Sequence, residues 1–374
     1  MKIGIDGHTL GTKSSGNETY CLKLLHDLAE GRPNGDGYII YFANLSALPK
    51  IPVKEQFKAR RIFPANPLVR IPLAFPLEFR REQLDVFHAQ YIIPPFCNCL
   101  TVNTIHDILF ESHPEFFTHA ENLYFRALIP WSARRANHII TVSQFSKNDI
   151  AFRYQINPDK ISVIEPDPGD EFRVMNVDEC RETILRKYGI EQPFVLYVGR
   201  VNPRKNLVRL VEAFSNLRRR GLRHKLVIVG KQDWMAEQVV ERVKSLSLED
   251  EVIFTGYIDW DDVPVFYNAA ELFVFPSICE GFGLPVMEAM ACGVPVVTSY
   301  GSSLEEVAGG AAILADPFSI ESLTDAMGKV LEHPELRASL RQKGFKRVAD
   351  FRSRRTPRQI VSVYHAVAGQ SCPS

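Results

Sequence analysis

Two glutamates, Glu280 and Glu288, lie eight positions apart within residues 279–297, between apolar runs that we interpret as strands. A helix rises about 1.5 Å per residue, so the spacing predicts a Gly-containing loop carrying Glu280 and a short helix carrying Glu288. The N-terminus of that helix offers free N–H groups and a positive dipole, which suit phosphate. One carboxylate could hold sugar hydroxyls and the other a ribose diol. An ordinary βαβ unit with a capping and a solvated glutamate explains the spacing equally well.

Two cations flank a second predicted turn between a strand and a helix. The apolar run 194–198 leads into Gly199 and Arg200, and Lys205 precedes a predicted helix over 207–218. Cations at such a turn can neutralise a diphosphate together with backbone N–H groups. Charges that merely mark the start of a surface helix have about equal weight.

The N-terminal half supplies a histidine and a loop of small residues. His106 follows the predicted strand 101–105, and ligands of open parallel sheets bind at the carboxyl ends of strands. A single histidine among ten is nevertheless more often structural. The loop 7–16, between the strand 3–5 and a helix predicted from Glu18 to Glu30, would let a backbone approach phosphate. The loop lacks G-x-G-x-x-G and a P-loop, so a structural turn remains the main alternative.

Composition excludes several classes of function. The 374 residues favour two domains. Lys and Arg equal Asp and Glu at 44 each, so no net charge recruits nucleic acid. The seven cysteines show neither zinc spacing nor a disulfide framework, and no signal peptide or long apolar run occurs. We expect a cytoplasmic protein.

Predicted strands and helices alternate throughout, which indicates an α/β protein with parallel sheets covered on both faces. The turn at 165–170 is the best hinge candidate, with domains at 1–168 and 169–353 and a last helix, 354–370, packing back on the first. Residues 62–79 are rich in Pro and large apolar residues, with Arg70 inside the segment and Arg61, Arg80 and Arg81 next to it. This segment could contact a membrane surface or a lipid acceptor, or be a buried, Pro-broken connection before an amphipathic helix.

Five segments together resemble a known family, the retaining nucleotide-sugar glycosyltransferases of the family-four type. That resemblance implies the GT-B fold: two facing Rossmann-like, doubly wound parallel-sheet domains with a C-terminal crossover helix. The signature around Glu280 and Glu288 is the most specific segment. The start of the chain and the D-V-F-H run at 85–88 look most like bacterial mannosyl- and O-antigen-type members. The five segments are 1–20, 104–107, 199–206, 255–257 and 280–297.

The resemblance also implies roles for individual residues. Arg200 and Lys205 would hold the donor diphosphate and stabilise the leaving nucleotide. Glu288 would take the ribose hydroxyls, Glu280 the sugar hydroxyls and distal phosphate, and His106 would contact the transferred sugar. Tyr257 would lie in the turn beside the nucleobase, and Gly16 would let the first loop close on the phosphates. The other donor-binding residues implied are Gly199, Gly281, Phe282, Gly283 and Leu284.

The function so implied is transfer of a hexose, with mannose from GDP-mannose favoured, to a glycan or lipid-linked acceptor in surface polysaccharide or glycolipid assembly. UDP-glucose or UDP-N-acetylglucosamine is the alternative donor, and an inactive sugar-nucleotide binding protein is the non-enzymatic alternative. The family type needs no metal or cofactor. A pyridoxal-phosphate phosphorylase is disfavoured, because no feature points to a Schiff-base lysine. Peripheral contact with the inner face of a membrane is plausible.

Three positions depart from the family pattern. Asn17 and Glu18 stand where relatives often carry consecutive glycines, and this puts closure of the first loop in doubt. The sequence at 165–170 replaces a common turn, and Arg354 stands where an aromatic residue is common. We expect an altered hinge and looser interdomain packing near the C-terminal crossover.

Overall fold

The computed structural model describes residues 1–12, 15–30, 35–52, 54–191, 193–233, 235–354 and 358–369. These residues form two compact units. Met1–Pro166 and the last helix make up the first, and Asp167–Arg354 make up the second. The chain changes unit two residues before the predicted boundary at 168.

The first unit is built on a parallel sheet of seven strands in the order β3-β2-β1-β4-β5-β6-β7. Its strands are β1 (Lys2–Asp6), β2 (Gly37–Phe42), β3 (Phe57–Arg61), β4 (Val86–Gln90), β5 (Leu100–Thr104), β6 (His138–Thr141) and β7 (Ile161–Val163). Its helices are α1 (Ser15–Glu30), α2 (Pro67–Val69), α3 (Phe75–Glu82), α4 (Leu109–Ser112), α5 (His119–Arg135), α6 (Gln144–Tyr154) and, at the end of the chain, α15 (Arg358–Val367).

Both faces of this sheet are covered, and inner strands such as β1, β4 and β5 are buried on both sides. Ile3 and Ile5 of β1 pack in one core with Leu24 and Leu25 of α1 and with Tyr364 of α15. A second core holds Phe87 of β4, Phe75 and Phe79 of α3, and Ile129 of α5. The last helix therefore belongs to the first core as much as α1 does.

Helix α1 begins at Ser15, three residues before the predicted start, so Gly16 lies in its first turn and not in the loop. The side chain of Glu18 accepts a hydrogen bond from the backbone N–H of Gly11 (2.8 Å), which fastens the loop to the helix. Gly16 has open space where a Cβ would stand, so no steric contact demands a glycine there. The prediction that Gly16 belongs to the loop was wrong.

Residues 62–82 form a broken connection. The short α2 passes through a π-helical turn, Arg70–Ala74, into α3, whose Phe75 and Phe79 are buried. The Pro-broken connection and the amphipathic helix after it agree with the second alternative of the sequence analysis, except that the connection is mostly not buried. Leu68, Leu73 and Leu77 remain exposed. Within the described residues, no helix is long and apolar enough to cross a membrane.

The second unit contains a parallel sheet of six strands in the order β10-β9-β8-β11-β12-β13. Its strands are β8 (Phe194–Val198), β9 (Lys225–Val229), β10 (Val252–Gly256), β11 (Leu272–Phe275), β12 (Val296–Ser299) and β13 (Ile313–Ala315). Its helices are α7 (Val177–Tyr188), α8 (Leu207–Arg219), α9 (Glu237–Ser245), α10 (Val263–Ala269), α11 (Leu284–Ala291), α12 (Ser303–Ala308), α13 (Ile320–Glu332) and α14 (Pro334–Arg354).

Candidate functional site

A buried carboxylate with two cations lies past the carboxyl end of β11. The chain leaves β11, passes Glu280 in a loop and enters α11 at Leu284, with Glu288 inside that helix, as the spacing predicts. Glu280 is only 7% exposed. Its two carboxylate oxygens are bound separately, one by Lys205 Nζ at 2.5 Å and the other by Arg204 Nη1 at 2.7 Å. We call these three residues the Glu280 cluster.

The loop before α11 is held in a conformation that few sequences could adopt. Gly283 has φ +104°, and a Cβ at this position would lie 2.3 Å from Leu304 Cδ2. The Ser303 hydroxyl donates to the carbonyls of Glu280 (2.7 Å) and Phe282 (3.0 Å). These hydrogen bonds from α12 fix the loop backbone, and the fixed backbone holds Glu280 next to Arg204 and Lys205.

The two neighbouring cations keep the carboxyl group of Glu280 ionised. Burial by itself would raise the pKa of Glu280, but Arg204 and Lys205 overcome it and lower that pKa to about 2. Burial lowers the pKa of Lys205, against the opposing effect of Glu280. Lys205 Nζ also lies 4.7 Å from the centre of the Phe275 ring. Two cations share one carboxylate in this cluster, so its positive charge exceeds its negative charge, which suits an anionic ligand.

Arg200 and Lys205 flank the turn after β8 as predicted, but they do not share a partner. Arg200 Nη1 binds Asp233 Oδ2 at 2.9 Å, and Asp233 lies beyond the carboxyl end of β9. Both side chains of this ion pair are about one-third exposed, so its net contribution to stability is small. The guanidinium of Arg200 can therefore turn to a ligand at low cost.

Glu288 is positioned by a tyrosine. Tyr267 Oη, from α10, donates to Glu288 Oε2 at 2.9 Å, and both groups are buried. Burial and the neighbouring carboxylate of Glu288 raise the pKa of Tyr267 well above its usual value, so the phenol stays protonated. One oxygen of Glu288 is thus held by a neutral donor.

The strand order explains why these residues meet. Strands β9, β8 and β11 are neighbours, and their carboxyl ends lie at one edge of the sheet. Gly199 follows β8, and a Cβ on Gly230 at the end of β9 would lie 2.0 Å from the Gly199 carbonyl oxygen. Tyr257 follows β10 at the same edge and is 67% exposed.

His106 belongs to the first unit and lies past the carboxyl end of β5. Burial lowers its pKa to about 4, so the imidazole is neutral at physiological pH. Its ring meets Tyr20 edge-on at 4.6 Å and Tyr91 at 5.7 Å between ring centres. Within the described residues, its Nε2 is buried without a hydrogen-bond partner. A neutral imidazole with an unsatisfied nitrogen is ready to bond a ligand.

The sequence analysis did not identify the residues that form hydrogen bonds with the predicted site residues. Arg204 binds Glu280, Asp233 binds Arg200, Tyr267 binds Glu288, and Ser303 fixes the loop. Arg204 had a signal, because it directly precedes Lys205. The other three lie far along the chain from their partners and carry no motif. Within the described residues, no group of three or more His, Cys, Asp or Glu could hold a metal ion.

Comparison with known proteins identifies the family of this chain. Residues 16–166 match the family model described as Glycosyltransferase Family 4, and residues 181–347 match Glycosyl transferases group 1. The O-antigen chain mannosyltransferase B of Escherichia coli is 30% identical over 281 residues, which are 75% of this chain and 74% of that protein. The O-antigen chain mannosyltransferase RfbU of Salmonella typhimurium is 31% identical over 62% of this chain and 61% of its own.

Solved structures match the whole chain. The sucrose-phosphate synthase of Thermosynechococcus elongatus has a TM-score of 0.78 at 22% identity, covering 99% of both chains. Anabaena HepE, solved in complex with UDP-glucose, has a TM-score of 0.74 at 19% identity, covering 99% of this chain and 98% of its own. These likenesses confirm the GT-B fold predicted from the sequence. With the family matches, they show that the chain is a family-4-type glycosyltransferase similar to the bacterial O-antigen mannosyltransferases.

Proposed function

We propose that this protein transfers mannose from GDP-mannose, with retention of anomeric configuration, to a glycan or lipid-linked acceptor in surface polysaccharide assembly. The observation that carries the proposal is the Glu280 cluster beside the N-terminus of α11. Mannose is favoured over other hexoses because relatives of about 30% identity are named O-antigen mannosyltransferases. UDP-glucose and UDP-N-acetylglucosamine are the competing donors.

The donor phosphates would bind against Lys205 and Arg200, with Arg204 completing the positive charge. Charge builds on the leaving nucleotide as the glycosidic bond breaks, and fixed cations in a partly dry site stabilise it strongly. Arg200 would exchange its exposed carboxylate partner, Asp233, for phosphate. The backbone of Gly199 and the N–H groups of Gly281, Phe282, Gly283 and Leu284 would complete the phosphate site.

The sugar and nucleoside would be read by the two glutamates. Glu288, oriented by Tyr267, would accept hydrogen bonds from the ribose hydroxyls, and Glu280 would meet the hydroxyls of the hexose. Tyr257 would lie beside the nucleobase. His106 would accept or donate one hydrogen bond to the transferred sugar as a neutral imidazole. No metal is required in this scheme, because the phosphate charge is met by side chains and backbone.

Contact of residues 67–82 with a membrane is a second part of the proposal. Leu68, Leu73 and Leu77 are exposed on 67–82, where Arg80 and Arg81 are also exposed. Apolar side chains beside arginines suit the interface of an anionic bilayer. We infer peripheral association with the cytoplasmic face. Sedimentation with anionic vesicles tests this, and a triple Leu68→Ser, Leu73→Ser, Leu77→Ser variant that co-sediments as well as the wild type would contradict it.

The transfer reaction tests the proposal as a whole. Purified protein is incubated with labelled GDP-mannose, UDP-glucose or UDP-N-acetylglucosamine and a lipid-linked glycan fraction, with and without EDTA. We expect label from GDP-mannose to enter the glycan with EDTA present, with the α configuration of the donor kept in the NMR spectrum of the product. Lys205→Ala should abolish transfer. The matched Lys225→Ala change removes a cation from the amino end of β9 and should be silent. Transfer from UDP-sugars alone would overturn the donor assignment.

A further inference from the structure

A chain of buried polar side chains runs beneath His106 and joins the last helix to the first. Tyr364 of α15 is 2.7 Å from His88 Nδ1, and His88 Nε2 is 2.7 Å from Thr104 Oγ1. Thr104 Oγ1 is in turn 3.0 Å from the hydroxyl of Tyr20 on α1. The ring of Tyr20 then packs edge-on against His106 at 4.6 Å. Four elements of the first unit are linked in this way, and the chain ends at the one histidine that we place against the sugar.

The chain can be satisfied only as a directed series of hydrogen bonds. Burial lowers the pKa of His88 to about 3, so its ring is neutral and has one donor nitrogen and one acceptor nitrogen. One of the two hydroxyls bonded to His88 therefore donates and the other accepts. Removing the hydroxyl of Tyr364 or of Thr104 leaves a buried nitrogen of His88 without this partner, which costs more than the bond itself contributes. The series is consequently a rigid support and not a loose contact.

His106 depends on this support because, among the described residues, no hydrogen bond holds its Nε2. Its carbonyl oxygen accepts from the Thr141 hydroxyl at 3.3 Å, which fixes only its backbone. Edge contacts with Tyr20 and Tyr91 surround the imidazole. Of the two tyrosines, Tyr20 makes the closer ring contact and belongs to the hydroxyl chain. The position of the Tyr20 ring therefore determines the orientation of His106 Nε2.

We propose that Tyr20 is a positioning residue for glycosyl transfer, which orients His106 towards the transferred sugar and is itself held by Thr104, His88 and Tyr364. The inference rests on the proposed function, in which His106 contacts the sugar. It adds that α15 contributes to the reaction through Tyr364, although that helix carries none of the predicted site residues. The role is one of orientation, because Tyr20 acts on the reaction through another residue.

The test is a double-mutant cycle between Tyr20 and His106. Tyr20→Phe keeps the ring but removes its anchor, and we expect kcat to fall about tenfold while the Kd of GDP stays unchanged. Thr104→Val breaks the next link and should lower kcat to a similar extent. In a His106→Ala background, Tyr20→Phe should have no further effect, because the group that it positions is gone. Tyr154→Phe, which removes another tyrosine hydroxyl bond of this unit, is the matched control and should leave kcat unchanged.

A second readout is independent of activity. The imidazole resonances of His106, assigned by their loss in His106→Ala, should shift and broaden in Tyr20→Phe and Thr104→Val but not in Tyr154→Phe. Equal loss of kcat from Tyr20→Phe in both backgrounds, or unchanged imidazole resonances, would overturn the inference while leaving the proposed function intact. Full activity in His106→Ala would instead remove His106 from the proposed function, and the inference with it.

Discussion

Replacing Glu280 with Gln tests the charge balance of the donor site. The substitution keeps the shape of the side chain but leaves Arg204 and Lys205 next to each other without a carboxylate. Lowering the pKa of Glu280 from 4.5 to about 2 corresponds to about 3 kcal/mol in favour of the ionised, folded state. Breaking a buried ion pair from one side costs about 3–5 kcal/mol in other proteins. We therefore expect Glu280→Gln to destabilise the second unit by about 3 kcal/mol.

Amide hydrogen exchange measured by mass spectrometry reports each unit separately. At pH 7, peptides from β8 and β11 should exchange faster in Glu280→Gln, while peptides from β1 and β5 serve as an internal control. Glu288→Gln is the matched variant, because Glu288 is equally buried but is bound by a neutral tyrosine hydroxyl. Its effect on exchange should be clearly smaller.

The same substitution predicts a pH dependence with a definite sign. Folding lowers the pKa of Glu280, so its carboxylate stabilises the unit above about pH 4.5, and that contribution is lost as pH falls towards about 2. The gap in urea midpoint between wild type and Glu280→Gln should therefore narrow across this range. Equal protection of both proteins at pH 7, or a gap that stays constant down to pH 2, would refute the assigned electrostatics.

Three further outcomes follow from single contacts. Gly283→Ala should cost about 1–3 kcal/mol in urea unfolding, because its positive φ and a blocked Cβ position act together, whereas Gly256→Ala, with φ +70° and open space, should cost about 1 kcal/mol. Tyr267→Phe should raise the Kd of the nucleotide about tenfold in calorimetry, because Glu288 loses its orienting donor. His88 stabilises the first unit as a neutral ring above about pH 6.5, and this contribution is lost as pH falls towards 3, so His88→Gln should flatten the dependence of the urea midpoint between pH 7 and 5.

The sheets were largely predictable because most of their strands are buried on both faces and are therefore rich in apolar residues. The exception is β3, Phe57–Arg61, which the sequence analysis did not identify. Four of its five residues are exposed and three are charged, since it lies at the edge of the sheet. An edge strand exposes polar side chains and loses the signal that marks the inner strands.

The parts of the site that lie within one short stretch of sequence could be predicted. The contacts between residues far apart in sequence could not, because the fold brings those residues together. The spacing of Glu280 and Glu288 and the turn from Gly199 to Lys205 are each contained in one strand-to-helix connection. The bonds of Arg204 to Glu280 and of Tyr267 to Glu288 join different connections, across 76 and 21 positions. Only the order of strands in the sheet brings such residues together, and a single sequence does not state that order.

The prediction for Gly16 was wrong for a different reason, because a local sequence signal was misleading there. A glycine that follows a strand and precedes a helix suggests a flexible loop, and helix propensity places it outside the helix. In the structure α1 includes Gly16, because the loop is fastened by Glu18 to the backbone of Gly11 and the helix starts earlier. A tertiary hydrogen bond thus outweighs the local propensity of one residue.

Calorimetric titration with GDP, UDP and ADP tests the central claim, that the second unit binds a nucleotide sugar through its cations, most directly. We expect GDP to bind in preference to UDP and ADP, with the affinity lost in Lys205→Ala, reduced in Arg200→Ala and unchanged in Lys225→Ala. Absence of binding for all three nucleotides and for their sugar conjugates, or equal binding by wild type and Lys205→Ala, would contradict the account.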